Sequence, residues 1–425
     1  MTLLKVFESI VLAGWGCMAL CGILLSLISW VVRRREAPLI SPRHLFAIIL
    51  PVEGTEADLS DTLEYLRQIN YPRGMFDVVV APLVDTDQMS TIAKQKGVVV
   101  HAPNKRKWRN REEAVSATLE RLTAKSRYEA FVILDTSVRI SPEFLSIMSD
   151  KLSKGALIVQ SGYRLRGDGI SFKTGLLAIL YAFSPSWFAV PSNGFQIGGE
   201  LRRVGTCLSR RLIERYGVRQ PFLPDMEGYM LRLLRENVVV IQAPQAIAYD
   251  GKAVMPPPRP LIALLKARWR TMRREAMPLI REGLTWENTT QVLGGVTLMA
   301  PPFSLLLIGA SLFFGLAVSL HGTQSALSLG WASTLAAFVA LAFLKLASFR
   351  APAIAYAALP VFPLYAVWRQ AQTWIPTGTE ISDASPVSPP EDTAANPGGS
   401  SRRRSSRRNQ QRLPSFGKGE ASDPA

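Results

Sequence analysis

The chain has 425 residues, 48% of them hydrophobic and 19% charged, with a formal net charge of +16. One soluble domain does not need so much apolar content, and here it is clustered, which points to a soluble domain joined to membrane segments. Three cysteines exclude a disulfide scaffold and a Cys-ligated metal centre, and basic residues gathered beside apolar segments and in the tail fit anionic lipid headgroups and exclude a nucleic-acid role.

Ser9 to Val32 carries no charge and reaches the about 20 residues that a helix needs to cross a bilayer. The run is longer than a signal-peptide core and no small-x-small cleavage site follows, so residues 1–35 are expected to be a retained anchor. Arg33, Arg34 and Arg35 follow it while only Lys5 precedes it, which places the rest of the chain on the cytoplasmic side of a bacterial inner or plasma membrane.

From Leu45 to about Ala253, short β-branched runs alternate with amphipathic stretches. Phe46–Pro51, Asp77–Ala81, Val98–His101, Phe131–Asp135, Ala156–Tyr163 and Val238–Gln242 read as strands. Asp58–Gln68, Asp87–Lys96, Arg111–Leu122, Pro142–Leu152 and Met226–Glu236 read as helices. The alternation predicts an α/β domain over 45–253, with a mostly parallel sheet covered by helices on both faces.

Three prolines at 256–258 break the chain, and Leu261 to Ile280 mixes leucines with Lys266, Arg268, Arg270, Arg273 and Arg274, so 256–285 is expected to be an interfacial amphipathic helix region. Within 290–371, Val292–Leu320 and Ala326–Leu346 are each long enough to span. Ala351–Trp368, interrupted by Pro352, Pro360 and Pro363, spans, re-enters or lies flat; the arginines of the tail favour a segment that does not cross. Residues 376–425 have almost nothing to bury and are expected to be disordered.

A carboxylate at the end of a sheet strand stands in the crevice where open α/β sheets bind ligands, and Asp135 is so placed; a turn Asp after a buried strand is the plain alternative. The stretch from Leu45 to about Trp269 resembles family 2 glycosyltransferases of the GT-A fold, a class that includes cellulose-synthase-like polysaccharide synthases. Leu134-Asp135-Thr136-Ser137 is similar to the family's Asp-x-Asp strand end, with Ser137 in place of the second Asp. That likeness implies a divalent cation, Mg²⁺ or Mn²⁺, held by Asp135 and Ser137 on a sugar-nucleotide diphosphate. Leu223-Pro224-Asp225-Met226-Glu227 resembles the acceptor motif, with Pro224 for its Glu, and Asp225 then matches the general base that takes the acceptor's proton. A helix-capping acid is the alternative there.

Leu265-Lys266-Ala267-Arg268-Trp269 resembles Gln-x-x-Arg-Trp, with Leu265 for Gln. The likeness implies that Arg268 neutralises the departing diphosphate and that Trp269 stacks an acceptor or shapes the site, while both residues equally suit a headgroup anchor. Val52, in a worn first-strand loop, is expected at the base pocket, and Arg111 stands where the family has a phosphate-holding Lys. Leu83 replaces the Asp that usually meets uracil, so uridine is not indicated. Gly198-Gly199-Glu200 and Gly205-Thr206-Cys207 resemble the acceptor-side loop, with simple turns as the alternative. His44, His101 and His321 form no catalytic or metal spacing, and Cys207 reads as a buried thiol.

The resemblance implies an inverting glycosyltransferase acting from a nucleotide-sugar donor on a lipid-linked or growing polysaccharide acceptor at the cytoplasmic face. Membrane lipids and other polysaccharide-assembly subunits are its expected partners, and nucleic acid is not. A catalytically inactive relative that scaffolds an envelope assembly is the alternative, because Thr55, Leu83, Ser137, Pro224 and Leu265 all depart from the family's pattern.

Overall fold

The computed structural model describes residues 2–35, 43–52, 56–83, 91, 98–101, 108, 110–125, 127–165, 171–183, 201–202, 204–217, 226–251, 261–299, 301 and 303–372. Residues 1–375 form one compact unit; 376–425, a separate unit, lies outside the described residues, and so does the expectation of disorder there.

The sheet has eight strands: β1 (Phe46–Val52), β2 (Phe76–Pro82), β3 (Val99–Val100), β4 (Ala130–Ile133), β5 (Val138–Ile140), β6 (Ile158–Leu165), β7 (Thr206–Ser209) and β8 (Val240–Asp250), in the order β3-β2-β1-β4-β7-β6-β8-β5. The expected parallel sheet holds for β3, β2, β1 and β4 and for β6 beside β8. It needs correction elsewhere: β7 runs antiparallel to both β4 and β6, and β5 runs antiparallel to β8. Strands this short are set by their neighbours more than by their own pattern, and both β5 and β7 fell outside the predicted elements.

Alternation in β1 shows how the sheet is clad. Phe46, Ile48, Leu50 and Val52 join one core with Leu59 and Leu63 of α2 (Glu56–Leu66) and Phe144 and Met148 of α4 (Phe144–Ser153). Ala47 and Ile49 face the other core, with Leu119 of α3 (Arg111–Ala124), Leu212 of α6 (Arg210–Tyr216) and Leu233 of α7 (Met226–Arg235). Side chains of period two thus bury on both faces, as a central strand requires. The expected helix over 87–96 lies almost wholly outside the described residues.

Three helices are long and apolar enough to cross a membrane: α1 (Thr2–Arg35), within which Leu4–Ile28 qualifies, α11 (Phe303–His321) and α12 (Ala326–Phe349). The expected span over 292–320 is corrected to two helices, α10 (Thr289–Met299) and α11, because consecutive prolines at 301 and 302 remove two backbone donors. The segment after α12 forms two short helices, α13 (Ala353–Ala358) and α14 (Phe362–Ala371), neither of spanning length.

The apolar helix α5 (Phe172–Ala182) packs with α11, α12 and α13 through Leu176, Ile179, Phe303, Phe338 and Ala355, and Leu165 at the end of β6 joins this core. Close approach is built in: a Cβ at Gly309 would sit 2.0 Å from Trp15 of α1. Trp331 stacks on Phe313 at 4.9 Å, and its indole N–H donates to buried Glu8 at 3.1 Å, while His321 Nε2 lies 3.3 Å from the same carboxylate. Glu8 is only 2% exposed, and these contacts tie α1 to both α11 and α12.

The basic segment forms α8 (Leu261–Thr271), a π-helical turn over Met272–Ala276, and α9 (Met277–Thr285). Leu265, Met277, Leu284 and Trp286 are exposed, as an interfacial surface demands. Ala276 and Leu279 pack against Leu231 and Leu234 of α7 and Leu298 of α10, and Arg235 pairs with Glu275 at 2.9 Å, so this run is also a structural layer of the molecule.

Candidate functional site at the carboxyl edge of the sheet

β1, β2, β4, β6 and β8 all end on one edge, and β5 and β7 begin there. The strand that carries Asp135 is fully buried, and Leu134 beyond it is held by a bond to the Ile49 carbonyl at 3.1 Å. The chain then turns: the Asp135 carbonyl accepts from Val138 N–H at 3.0 Å, Thr62 of α2 donates its hydroxyl to the Thr136 carbonyl, and the Ser137 carbonyl accepts from Gly251 N–H at 3.2 Å. Backbone bonds on three sides therefore fix the turn, and Asp135 projects from it with a side chain 31% exposed.

α3 supplies the partner. Its N-cap Asn110 accepts from Glu113 N–H at 2.9 Å, which orients the first turn, and Arg111 follows with only 7% of its side chain exposed. The Arg111 Nε–H donates to Asp135 Oδ1 at 3.1 Å. The hydrogen bond to a carboxylate offsets the cost of taking the guanidinium so far from water. The pair presents a cation with a partly open anion at the mouth of the edge.

Val52 closes β1 beside this pair: it is buried, lies in register with Pro82, and its carbonyl accepts from Leu83 N–H at 3.2 Å. Gly205 sits across from it, donating to the Ile133 carbonyl at 2.9 Å with φ +74°; a Cβ there would meet Ser161 Oγ at 2.0 Å. Only glycine satisfies both the conformation and the space. Cys207 is fully buried in β7, and burial raises its thiol pKa, so it stays protonated.

The structure thus brings together Val52, Arg111, Asp135 and Ser137. Asp225 lies outside the described residues, one position before α7, and the side chain of Arg268 is likewise not described although its backbone lies in α8. Trp269 is 60% exposed. Gly198, Gly199 and Glu200 also fall outside.

Sequence reasoning missed a second group on the same edge. Asp250 ends β8 in register with Val138, one residue from Ser137, and accepts from the Tyr163 hydroxyl at 2.6 Å. Burial and then the hydrogen bond to Asp250 raise the Tyr163 pKa. Tyr181 of α5 lies 5.0 Å from the Tyr163 ring, and the Arg202 guanidinium stands 5.1 Å from its centre. The signal was present in the sequence, since Ala246-Ile247-Ala248-Tyr249-Asp250 is another apolar strand ending in a carboxylate, as at Asp135.

Among the described residues, the expected pair Asp135 and Ser137 does not by itself fit a resident divalent cation. Such ions take carboxylates, water and substrate phosphates in near-octahedral array; here one carboxylate is already bonded to Arg111 and Ser137 adds a neutral hydroxyl. Among the described residues no group of three or more His, Cys, Asp or Glu side chains could hold a metal ion.

No family model matches the chain, and no curated protein matches it. Among solved structures, a mannosyltransferase from Pyrobaculum calidifontis in complex with GDP-Man and Mn²⁺ is similar at 17% identity, covering 84% of this chain and 99% of that one with a TM-score of 0.44. TarS of S. aureus (residues 1–349) is 13% identical over 77% of this chain and 92% of its own, with a TM-score of 0.38. Glucosyl-3-phosphoglycerate synthase from Mycobacterium tuberculosis is 18% identical over 52% and 75%, with a TM-score of 0.31. At these identities and scores the likeness identifies neither family nor activity.

Proposed function

We propose that this chain is a membrane-integral, inverting glycosyltransferase of the GT-A fold. It takes a sugar from a nucleotide-sugar donor and gives it to a lipid-linked or growing polysaccharide acceptor at the cytoplasmic face. The observation that carries the reading is the Arg111–Asp135 pair at the carboxyl edge of the sheet, where the strand end resembles the family's donor-binding motif.

In this reading the acceptor oxygen attacks the anomeric carbon, the bond from that carbon to the diphosphate oxygen breaks, and the diphosphate leaves with the electron pair. Asp225 takes the acceptor's proton. Arg268 faces the charge that develops on the leaving group, and a cation on the protein is worth most where water is excluded. Arg111 holds the diphosphate from the sheet side, with Asp135 fixing its guanidinium; Val52 lies against the base and Trp269 against the acceptor. No step is assigned to a metal. The exposed Trp269 and Trp286 and the basic residues of α8 seat the edge at the membrane surface.

The scaffold reading has one observation in its favour: Asp135 is engaged by an arginine and its family partner is Ser137. Detergent-purified protein melted against UDP-, GDP-, CMP- and dTDP-sugars, with and without Mg²⁺ or Mn²⁺, separates the two, because a ligand that binds only the native state must raise its melting temperature. A selective shift supports the transferase, and none from any donor moves the assignment to the scaffold. Asp225→Asn is expected to keep that shift and lower turnover by roughly 10²–10⁴; unchanged turnover removes Asp225 from the mechanism.

A further inference from the structure

On the β3 side of the same edge stand two aromatic nitrogens that the transfer proposed above does not use. His101 follows β3 directly, and its backbone N–H donates to the Val80 carbonyl at 2.8 Å, which sets it beside the end of β2, where Pro82 pairs with Val52. Trp108 lies three residues before Arg111, and its ring meets that of His101 at 5.9 Å between centroids and 60° between planes. The pair extends the edge outward from Val52, on the flank away from Asp250.

Hydrogen bonds fix which imidazole nitrogen carries the proton. Thr118, fully buried in α3, donates its one hydroxyl proton to the Ala114 carbonyl at 2.7 Å. Its oxygen, 2.8 Å from His101 Nδ1, can then only accept, so Nδ1 is the protonated nitrogen. Burial, with Arg121 and Lys125 acting the same way, lowers the His101 pKa and favours the neutral ring. Nε2 of that ring is therefore an acceptor, and among the described residues it has no hydrogen bond.

Trp108 supplies the complement. Its indole N–H is buried and has no acceptor among the described residues, although a buried indole ordinarily finds one. A donor and an acceptor thus stand on neighbouring rings without bonding each other. A carboxylate or an ionised phosphate satisfies only the donor. The edge of a nucleobase satisfies both, because it carries an N–H donor next to a carbonyl or ring-nitrogen acceptor, and two flat side chains suit a flat ring.

We infer that Trp108 and His101 select the base of the nucleotide donor: the indole N–H donates to an acceptor on the base, and His101 Nε2 accepts from its N–H. This rests on the transferase reading and deepens it, with Val52 against the base and Arg111 on the diphosphate. Thr118 is a positioning residue, which holds the imidazole in the form that presents an acceptor.

The test measures the affinity of full-length protein in detergent for UDP, GDP, CDP, dTDP and ADP, and for inorganic pyrophosphate, which has no base. The parent is expected to prefer one or two of the five nucleotides. Trp108→Phe keeps an aromatic ring and removes the N–H; His101→Leu removes the acceptor. Each is expected to lower affinity for the preferred nucleotide about tenfold, as the loss of one buried hydrogen bond does, to flatten the preference, and to bind pyrophosphate as the parent does. Thr118→Val, which releases the tautomer, is expected to flatten the preference in part.

A parental preference in Trp108→Phe and His101→Leu would overturn the assignment, and so would equal binding of all five nucleotides by the parent. An equal loss for all five in the variants would place the pair at the ribose and overturn base selection. If His101→Leu does not fold, Trp108→Phe decides alone. Failure of the parent to bind any nucleotide sinks the transferase reading and this inference with it, whereas nucleotide binding with an unaltered preference in the variants sinks this inference alone.

Discussion

At Ser137 one atom group separates this strand end from a two-carboxylate site. Ser137→Asp adds an acid beside Asp135, and carboxylate count is what hard cations read. The variant is therefore expected to bind Mn²⁺ more tightly than the parent by titration calorimetry; no gain means that the turn does not aim position 137 at a cation. The histidines have a different consequence. Burial lowers the pKa of His44, with Arg211 and Arg43 acting the same way against Glu129; burial, then Arg121 and Lys125, lower that of His101. The folded state thus favours the neutral rings, and the unfolded chain binds more protons below the ordinary value of 6.5. Their stabilising contribution is fully present above that pH and lost as the pH falls through it towards the folded values. Melting temperature should drop between about pH 7 and about pH 5, and His44→Gln with His101→Gln should flatten that slope; a slope unchanged in the double variant assigns it to other groups.

Among elements, α1 is more than an anchor because Glu8 accepts from Trp331 and faces His321. Removing a buried acceptor strands its donors, at about 1–2 kcal/mol in a helical bundle. Glu8→Ala should lower the melting temperature accordingly, and Glu8→Gln, which keeps an acceptor, should lose less; equal losses would mean that side-chain volume and not hydrogen bonding sets the effect. That cluster was not visible in the sequence, since residues 8, 321 and 331 meet only after three helices have packed. The strands β1, β2 and β4 were legible because long apolar runs state their own burial. β5 and β7 were not, because three or four residues become a strand only when a partner pairs with them. Val292–Leu320 read as one span by hydropathy alone, which does not register the donors lost at two consecutive prolines. At the site, Asp135 was legible as a carboxylate ending an apolar strand, whereas Val52 and Arg111 were reached only through the resemblance to the family's loops. Asp250 was passed over because its strand extends well past the predicted Gln242, with a register shift opposite Ser161 and Gly162.

For the whole molecule, α1, α11 and α12 are of spanning length, and the turn between the last two falls at 322–325. If all three cross, that turn and the sheet lie on opposite sides. In a background with Cys17, Cys21 and Cys207 replaced by Ser, cysteines introduced at Thr323 and Arg73, both exposed, should react with an impermeant maleimide from opposite faces of sealed vesicles. Reaction of both from one face would reject the three-span arrangement. The packing of Leu165, at the end of β6, into the core of the helical bundle then acquires a further meaning. Among the described residues the end of β6 and the bundle share one core, so the edge stands at a set height over the bilayer. For an acceptor rooted in lipid, the protein is a depth gauge: it selects the hydroxyl that reaches that height, and a graft with a longer or shorter stem would present the wrong one.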